Sequence, residues 1–364
     1  MPENSRLLSL DVLRGFTIAA MILVNTPGSW SHIYPPLSHK PWNGITPTDL
    51  IFPFFIFIVG VSIALAYSKK KESGLPIAGL YRKIMWRSVK IFAVGIFLNL
   101  YPYFDFAELR VAGVLQRIAI VFMVCAFLFL SMSAKKLAIT GAGILILYWL
   151  AMTLIPTPGY GKVMLEPGIN LAAWFDAEFL PGKLWAGSWD PEGILSTLPA
   201  IASGISGVLA GCLLLSKMST EQKIIWLFTA GFAASVAGTV WSWHFPLNKN
   251  LWTSSYVLVS SGLAASTLAA LMVIVDLKGY IRLFRPFLVF GSNAIAVYVL
   301  AGVVDFLFWG IRFGETGIKG HFMEMLTSAG IAANFASLMY ALFYTSLIFI
   351  PALVLYRKKI FIKL

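Results

Sequence analysis

Residues 50–71 read LIFPFFIFIVGVSIALAYSKKK, and the way this stretch can be placed decides the fold. From Leu50 to Ser68 it carries no charge, and Lys69, Lys70 and Lys71 follow at once. An uncharged helix of that length crosses the ~30 Å hydrocarbon layer of a bilayer. A lysine cluster at its end marks the cytoplasmic side. Comparable apolar runs recur along the chain, and we place spans near 8–29, 46–67, 84–102, 110–131, 136–155, 192–215, 223–244, 251–275, 285–310 and 330–355.

Composition agrees. Of 364 residues, 59% are hydrophobic and 12% are charged, whereas a soluble domain carries about 25% charged residues. The expectation is an all-α, polytopic integral membrane protein of about ten transmembrane helices, 1–364 forming a single transmembrane domain embedded in a lipid bilayer. The first apolar stretch contains Asp11 and Arg14 and reads as a span, not a cleaved leader. The net charge of +12 follows topology: with the N-terminus inside, inner segments hold 20 of the 28 Lys and Arg, Arg6 and Lys363 among them. That bias places both termini in the cytoplasm and removes any need for a nucleic-acid partner. Cys125 and Cys212 fall in apolar runs and read as small buried hydrophobes.

Two outer loops are long enough to be functional. The loop at about 26–45 contains His32, His39, Trp42 and Asn43. The loop at about 156–191 contains Trp174, Asp176, Glu178, Trp185, Trp189 and Asp190, with Glu192 just beyond. Tryptophan at this depth anchors the interface and also stacks on sugar rings. All four histidines (His32, His39, His244 and His321) lie in or beside outer loops, where imidazole can relay protons or carry an acyl group.

Charges inside spans are costly and mark sites or partners. Asp11 and Arg14 are spaced to pair on one face of the first span. Arg110 and Arg117, seven apart, are expected on one face of the fourth, Arg117 about 10 Å deeper, with Gln116 beside it. Thr46-Pro47-Thr48-Asp49 reads as a capping box, which alone accounts for Asp49. Asp190 and Glu192 place acid at the positive end of the sixth span. Residues 245–256 form a polar cluster at an outer boundary. A Walker A loop, HExxH and metal-ligand spacing of His and Cys are all absent from the sequence, so no metal is expected. Gly204-Ile-Ser206-Gly fails as a nucleophile elbow by one position.

Taken together, LDVLRG at 10–15, MILVN at 21–25, HKPWNGITPTDLIFPFFIFIVGVSI at 39–63, RVAGVLQRIAI at 110–120, DPEGILSTLPAI at 190–201, FPLNKNLWTSSYVL at 245–258 and GSNAIAVY at 291–298 resemble the heparan-α-glucosaminide N-acetyltransferase family, within the transmembrane acyltransferases. The resemblance implies transfer of acetyl from cytoplasmic acetyl-CoA, as co-substrate, to the amine of a glucosamine-type sugar or glycan on the extracytoplasmic side. It places the family's loop histidine on His39, as base or acyl carrier, and its asparagine on Asn25, with Asp49 beside them as a group that could orient the histidine. It puts the span-four arginine on Arg117 and the polar lip on Asn248, Lys249 and Trp252. Arg14 and Gln116 join these as candidates for the donor, as do the cations of 69–90; Trp42, Asn43, Asp190 and Glu192 are candidates for the acceptor. The animal enzymes carry an extra lumenal domain before the first span, and small residues where this chain has Lys40 and Pro41, which leaves the acceptor's identity open. The expected location is a bacterial inner (cytoplasmic) membrane, and a homodimer is compatible with the family. The rival class is a sugar or amphiphile transporter without acyl transfer.

Overall fold

The structure, a computed structural model, describes residues 7–73, 78–310, 312–313 and 316–362; Arg6 and Lys363 lie outside these. The helices are α1 (Leu8–Asn25), α2 (Ile51–Glu72), α3 (Ala78–Leu100), α4 (Val114–Ser131), α5 (Ala134–Leu154), α6 (Leu171–Phe179), α7 (Ile194–Leu215), α8 (Thr220–Trp241), α9 (Ser254–Leu271), α10 (Arg285–Ser292), α11 (Ala294–Gly310), α12 (Ile318–Ser328) and α13 (Ala333–Arg357). Two short strands, β1 (Arg312–Phe313) and β2 (Thr316–Gly317), pair antiparallel. Among the described residues the fold is all-α apart from that strand pair and an isolated bridge between Arg110 and Gly182.

Helix starts follow local chemistry. Ser133 and Asn170 accept the Lys136 and Ala173 backbone N–H at the heads of α5 and α6. Ser219 and Gln222 form a capping box on α8, which satisfies donors that a helix leaves orphaned in its first turn.

Eight helical stretches among the described residues are long and apolar enough to cross a membrane. They correspond to eight of the ten expected spans. A ninth, near 285–310, is broken: Ile281–Ser292 and Ala294–Phe308 meet at 76°. Asn293 sits at the break and turns its side chain to the C-terminal segment, Nδ2 donating to the Ile360 carbonyl at 2.9 Å and Oδ1 accepting the Ile362 N–H at 2.8 Å. A side chain that competes so well for backbone partners favours a break over helix continuation. The tenth, near 84–102, is the latter part of α3, whose Arg82, Lys83, Arg87 and Lys90 set it apart from the eight. Its 23 residues still reach about 34 Å.

The contacts divide into two compact units. The first comprises Pro41–Ile45 and Pro53–Ala270. Within it α4 packs on α3 and α7, and α5 and α6 pack on α7. The α2–α7 crossing is set by small residues: a Cβ on Gly60 would lie 2.1 Å from the Gly204 carbonyl oxygen, and one on Gly207 would lie 2.0 Å from that of Phe57. In lipid, where association relies on packing, such backbone approach is what holds helices together. The second unit comprises the described parts of Pro2–Lys40, Thr46–Phe52 and Leu271–Leu364. Here α1 packs against α10, α11 and α13, and α12 against α13. A Cβ on Gly15 would fall 1.6 Å from the Phe287 carbonyl oxygen, so α1 and α10 touch backbone to backbone.

Candidate functional site

The second unit holds His39. Pro35–Leu37 and Pro47–Leu50 are single 3₁₀ turns of the kind proline initiates, its fixed φ being already suited to a first helical position. Thr46 accepts the backbone N–H of Asp49, and the Asp49 carboxylate bonds the Thr46 N–H in return, so the expected capping box is present. Oδ2 of Asp49 also accepts the Lys40 N–H at 3.1 Å and the Thr46 hydroxyl at 3.1 Å. The other oxygen, Oδ1, meets Nδ1 of His39 at 2.7 Å. The Asp49 side chain is 1% exposed and that of His39 is 43% exposed. An ionised carboxylate can only accept, so Nδ1 carries a proton, and in the neutral ring Nε2 is then the nitrogen that holds the lone pair. Asp49 therefore has both duties at once, cap and orienter. His32 bonds Ser29 across 3.2 Å and His321 lies 3.7 Å from the exposed Glu324, whereas the carboxylate that His39 meets is buried.

Asn25 is the last residue of α1 and is exposed. Nearer the start of that helix Arg14 pairs with Asp11 at 2.8 Å, as their spacing requires.

In the first unit, Arg110 departs from expectation. It is not on the face of α4, which begins only at Val114 after Gly113; it lies in extended backbone bridged to Gly182. Its Nε and Nη2 donate to Asp190 at 2.7 and 2.6 Å, and Nη2 also reaches Glu192 at 2.5 Å. Trp185 lies over the guanidinium, 5.0 Å to its ring centre. Asp190 further accepts the N–H groups of Trp185 and Glu192. The two carboxylates are thus engaged by Arg110, and the one that bonds the first N–H of α7 is Asp176, 2.8 Å from Ile194 N. Burial pushes the Asp176 carboxyl up to about 6, the Ile194 N–H holding it back in part. The sequence carried no periodic signal for this role, since Asp176 reaches α7 from a short helix inside the outer loop.

Arg117 is 1% exposed. Nη2 donates to the Gly193 carbonyl and the Ser196 hydroxyl, and the guanidinium lies 5.1 Å from the ring centre of Trp252. Nε and Nη1 have no partner. Nearby, Gln116 also keeps Nε2 unpartnered, its Oε1 filling the space a Cβ would take at Gly95 or Gly113. Trp252 donates to Ser203 at 3.0 Å. Asn248, fully buried, accepts the Leu251 N–H and donates to Asn43 at 3.1 Å. Lys249, beside it, is half-buried. Trp42 donates to the Leu165 carbonyl at 2.9 Å and meets Trp189 edge-on at 5.2 Å. Of the basic cluster at 69–90, Lys71 is committed to the Phe129 and Met132 carbonyls at the end of α4. No group of three or more His, Cys, Asp or Glu that could hold a metal occurs among the described residues.

Residues 6–180 match the family model described as "Heparan-alpha-glucosaminide N-acetyltransferase, catalytic". Heparan-alpha-glucosaminide N-acetyltransferase of Homo sapiens is 32% identical over 419 aligned residues, which cover 99% of this chain and 60% of that protein. Its Mus musculus counterpart is 30% identical, covering 99% of this chain and 61% of the relative. The chain spans about three fifths of the length of the curated relatives it matches.

Proposed function

We propose, from the premise that this chain is related over nearly its whole length to the heparan-α-glucosaminide N-acetyltransferases, that it is a membrane-bound N-acetyltransferase. It moves acetyl from cytoplasmic acetyl-CoA to the amine of a glucosamine-type sugar outside the cytoplasm. The observation that carries the reading is the 2.7 Å pair of His39 and Asp49, in which a buried carboxylate fixes the tautomer of an accessible imidazole. That is the orienter-and-base arrangement of acyl-transfer enzymes generally.

At neutral pH the sugar amine is largely an ammonium and cannot attack. Nε2 of His39 takes its proton, and the freed nitrogen lone pair adds to the thioester carbonyl. The C–N bond forms, the C–S bond breaks, the proton held on His39 passes to the departing thiolate, and the second proton that the nitrogen sheds in becoming an amide leaves through Nε2 to solvent. Asp49 stabilises the transient imidazolium and keeps Nδ1 protonated throughout. Asn25, exposed at the end of α1, donates its amide N–H to the developing oxyanion, a contribution often worth about 3 kcal/mol.

Arg117 suits the donor. A buried guanidinium with two unpartnered nitrogens is costly unless an acceptor arrives, and the carbonyl groups of a pantetheine arm supply acceptors. Gln116, with its own unpartnered Nε2, serves the same end. The charge bias of the loops supports a cytoplasmic position for the basic ends of the helices, where a polyphosphate nucleotide is met.

The test is incubation of detergent-purified protein with labelled acetyl-CoA and glucosamine. Labelled N-acetylglucosamine is the expected product. Absence of product and of acetyl-CoA binding, with sugar uptake into proteoliposomes, would sink this reading in favour of transport.

A further inference from the structure

The second unit contains another polar cluster, which the reaction above does not use. Tyr340 and Tyr344 stand one turn apart on α13, wholly buried, their rings stacked at 6.4 Å. The Tyr344 hydroxyl donates to the Ala301 carbonyl at 2.5 Å. The Tyr340 hydroxyl, equally buried, has no hydrogen-bond partner. Lys319, in the first turn of α12, holds its ammonium 5.6 Å from the centre of the Tyr340 ring. Asp305 of α11 acts electrostatically on Lys319, Tyr340 and Tyr344. Yet no direct ion pair joins Asp305 to Lys319 among the described residues. Both are half-buried.

A carboxylate and an ammonium so placed would normally close on each other, because half-buried charges regain little from water. Here they stand apart with an unpaired phenol beside them. The three groups need a third molecule that both donates and accepts. A simple anion would be repelled by Asp305, and a simple cation by Lys319. A hydroxyl satisfies all three: it donates to the carboxylate and its two lone pairs accept from the ammonium and the phenol. Phe322, one turn beyond Lys319, sets its ring 5.4 Å from that of Tyr340 and stacks on Phe343, adding the apolar surface that the C–H face of a sugar ring requires. The cluster also adjoins the segment that follows Asn25. A Cβ on Gly28 would meet Met323 Sδ at 2.5 Å, Ser337 Cα at 2.8 Å and Tyr340 Cβ at 3.0 Å, so α12 and α13 press directly on the chain leaving α1.

We propose that Asp305, Lys319 and Tyr340 form a hydroxyl-binding subsite for the sugar acceptor, a subsite of specificity and not of chemistry. This rests on the acetyltransferase reading for its kinetic consequence, but sugar binding can be measured without turnover.

The experiment uses the full-length protein in detergent and two variants, Tyr340→Phe, which removes one oxygen and keeps the ring packing, and Asp305→Asn. Initial rates are measured against glucosamine and against acetyl-CoA, and glucosamine binding is followed by saturation-transfer NMR with no acetyl-CoA present. Each variant is expected to raise KM for glucosamine about tenfold, the worth of one good hydrogen bond, with kcat and KM for acetyl-CoA unchanged. A deoxyglucosamine lacking the bound hydroxyl should bind wild type and Tyr340→Phe equally. Wild-type sugar KM in both variants would overturn the proposal, as would a loss confined to kcat. Should wild type bind sugar without transferring acetyl, weakened binding in the variants upholds the subsite while the acetyltransferase reading falls. Absence of sugar binding by wild type, or the result that only water occupies the cluster, overturns the subsite.

Discussion

Replacing Asp49 by asparagine exchanges one oxygen for an amide nitrogen and separates the two duties of this side chain. Oδ2 accepts from the Lys40 N–H, the Thr46 N–H and the Thr46 hydroxyl, whereas Oδ1 accepts from His39. In the variant one of the two positions must become NH2. At the Oδ2 position it would oppose two backbone donors, each left unpaired at about 1–3 kcal/mol. Turned toward His39 it costs one bond and leaves the cap whole. The amide oxygen therefore stays with the cap, and the NH2 faces Nδ1, which must now accept. The imidazole proton moves to Nε2, and the base is lost. We expect kcat to fall about 10³–10⁴-fold, the scale on which a wrong tautomer is felt in other histidine-dependent acyl transfer. The stability loss should be only about 1.5–3 kcal/mol, for one charge-assisted bond. Thr46→Val is the control: it loses its hydroxyl bonds to Ser38 and Asp49, costs about 1 kcal/mol, and should leave turnover within a few-fold. Initial rates of acetyl transfer beside melting curves decide the matter. An Asp49→Asn rate within about threefold of wild type would refute the orienting role.

Other expectations concern the frame. Arg110→Met strands the buried carboxylates of Asp190 and Glu192 and should cost about 3–5 kcal/mol; Arg110→Lys should recover only part, since lysine cannot reproduce the two-pronged bond, and thermal melting in detergent reads both. Gly15→Ala must separate α1 from α10 and should cost more than about 3 kcal/mol, seen as lost yield of monodisperse protein, while Gly143→Ala, where nothing lies within 4 Å, should be neutral or slightly stabilising. Asp176 gives a pH signature. Its carboxyl is raised from 3.8 to about 6, so between those values the folded state binds more protons than the unfolded, and stability rises as pH falls through that window. The ionised group costs up to about 3 kcal/mol above pH 6, a cost that disappears below 3.8. Asp176→Asn should remove this part of the pH dependence of Tm; an unchanged profile would show that the carboxyl titrates normally.

What could be read in the sequence was whatever depends on neighbours along the chain. Uncharged runs such as Leu50–Ser68, the Thr46–Asp49 box and the Asp11–Arg14 spacing all carry their own periodicity or chemistry. The break at Asn293 was hidden because GSNAIAVY is apolar enough to read as one span; the competing partners of the asparagine lie in the distant C-terminal segment. Arg110 was misplaced on a helix face because spacing alone does not reveal that Gly113 starts α4 late and that residues 182–192 supply its partners. The His39–Asp49 bond lay between these extremes. Both residues stood out, but the capping box explained Asp49 without it, and only the folded turn of 38–50 shows that one carboxylate serves both ends.

The central claim is that His39 performs acyl transfer. The most direct measurement compares wild type with His39→Ala, purified in nanodiscs, for N-acetylglucosamine formed from acetyl-CoA and glucosamine, with near-UV circular dichroism confirming that the tryptophan environments are unchanged. A rate loss of at least about 10²–10⁴-fold in a folded variant is the predicted result. Product formed at close to the wild-type rate by folded His39→Ala would contradict it.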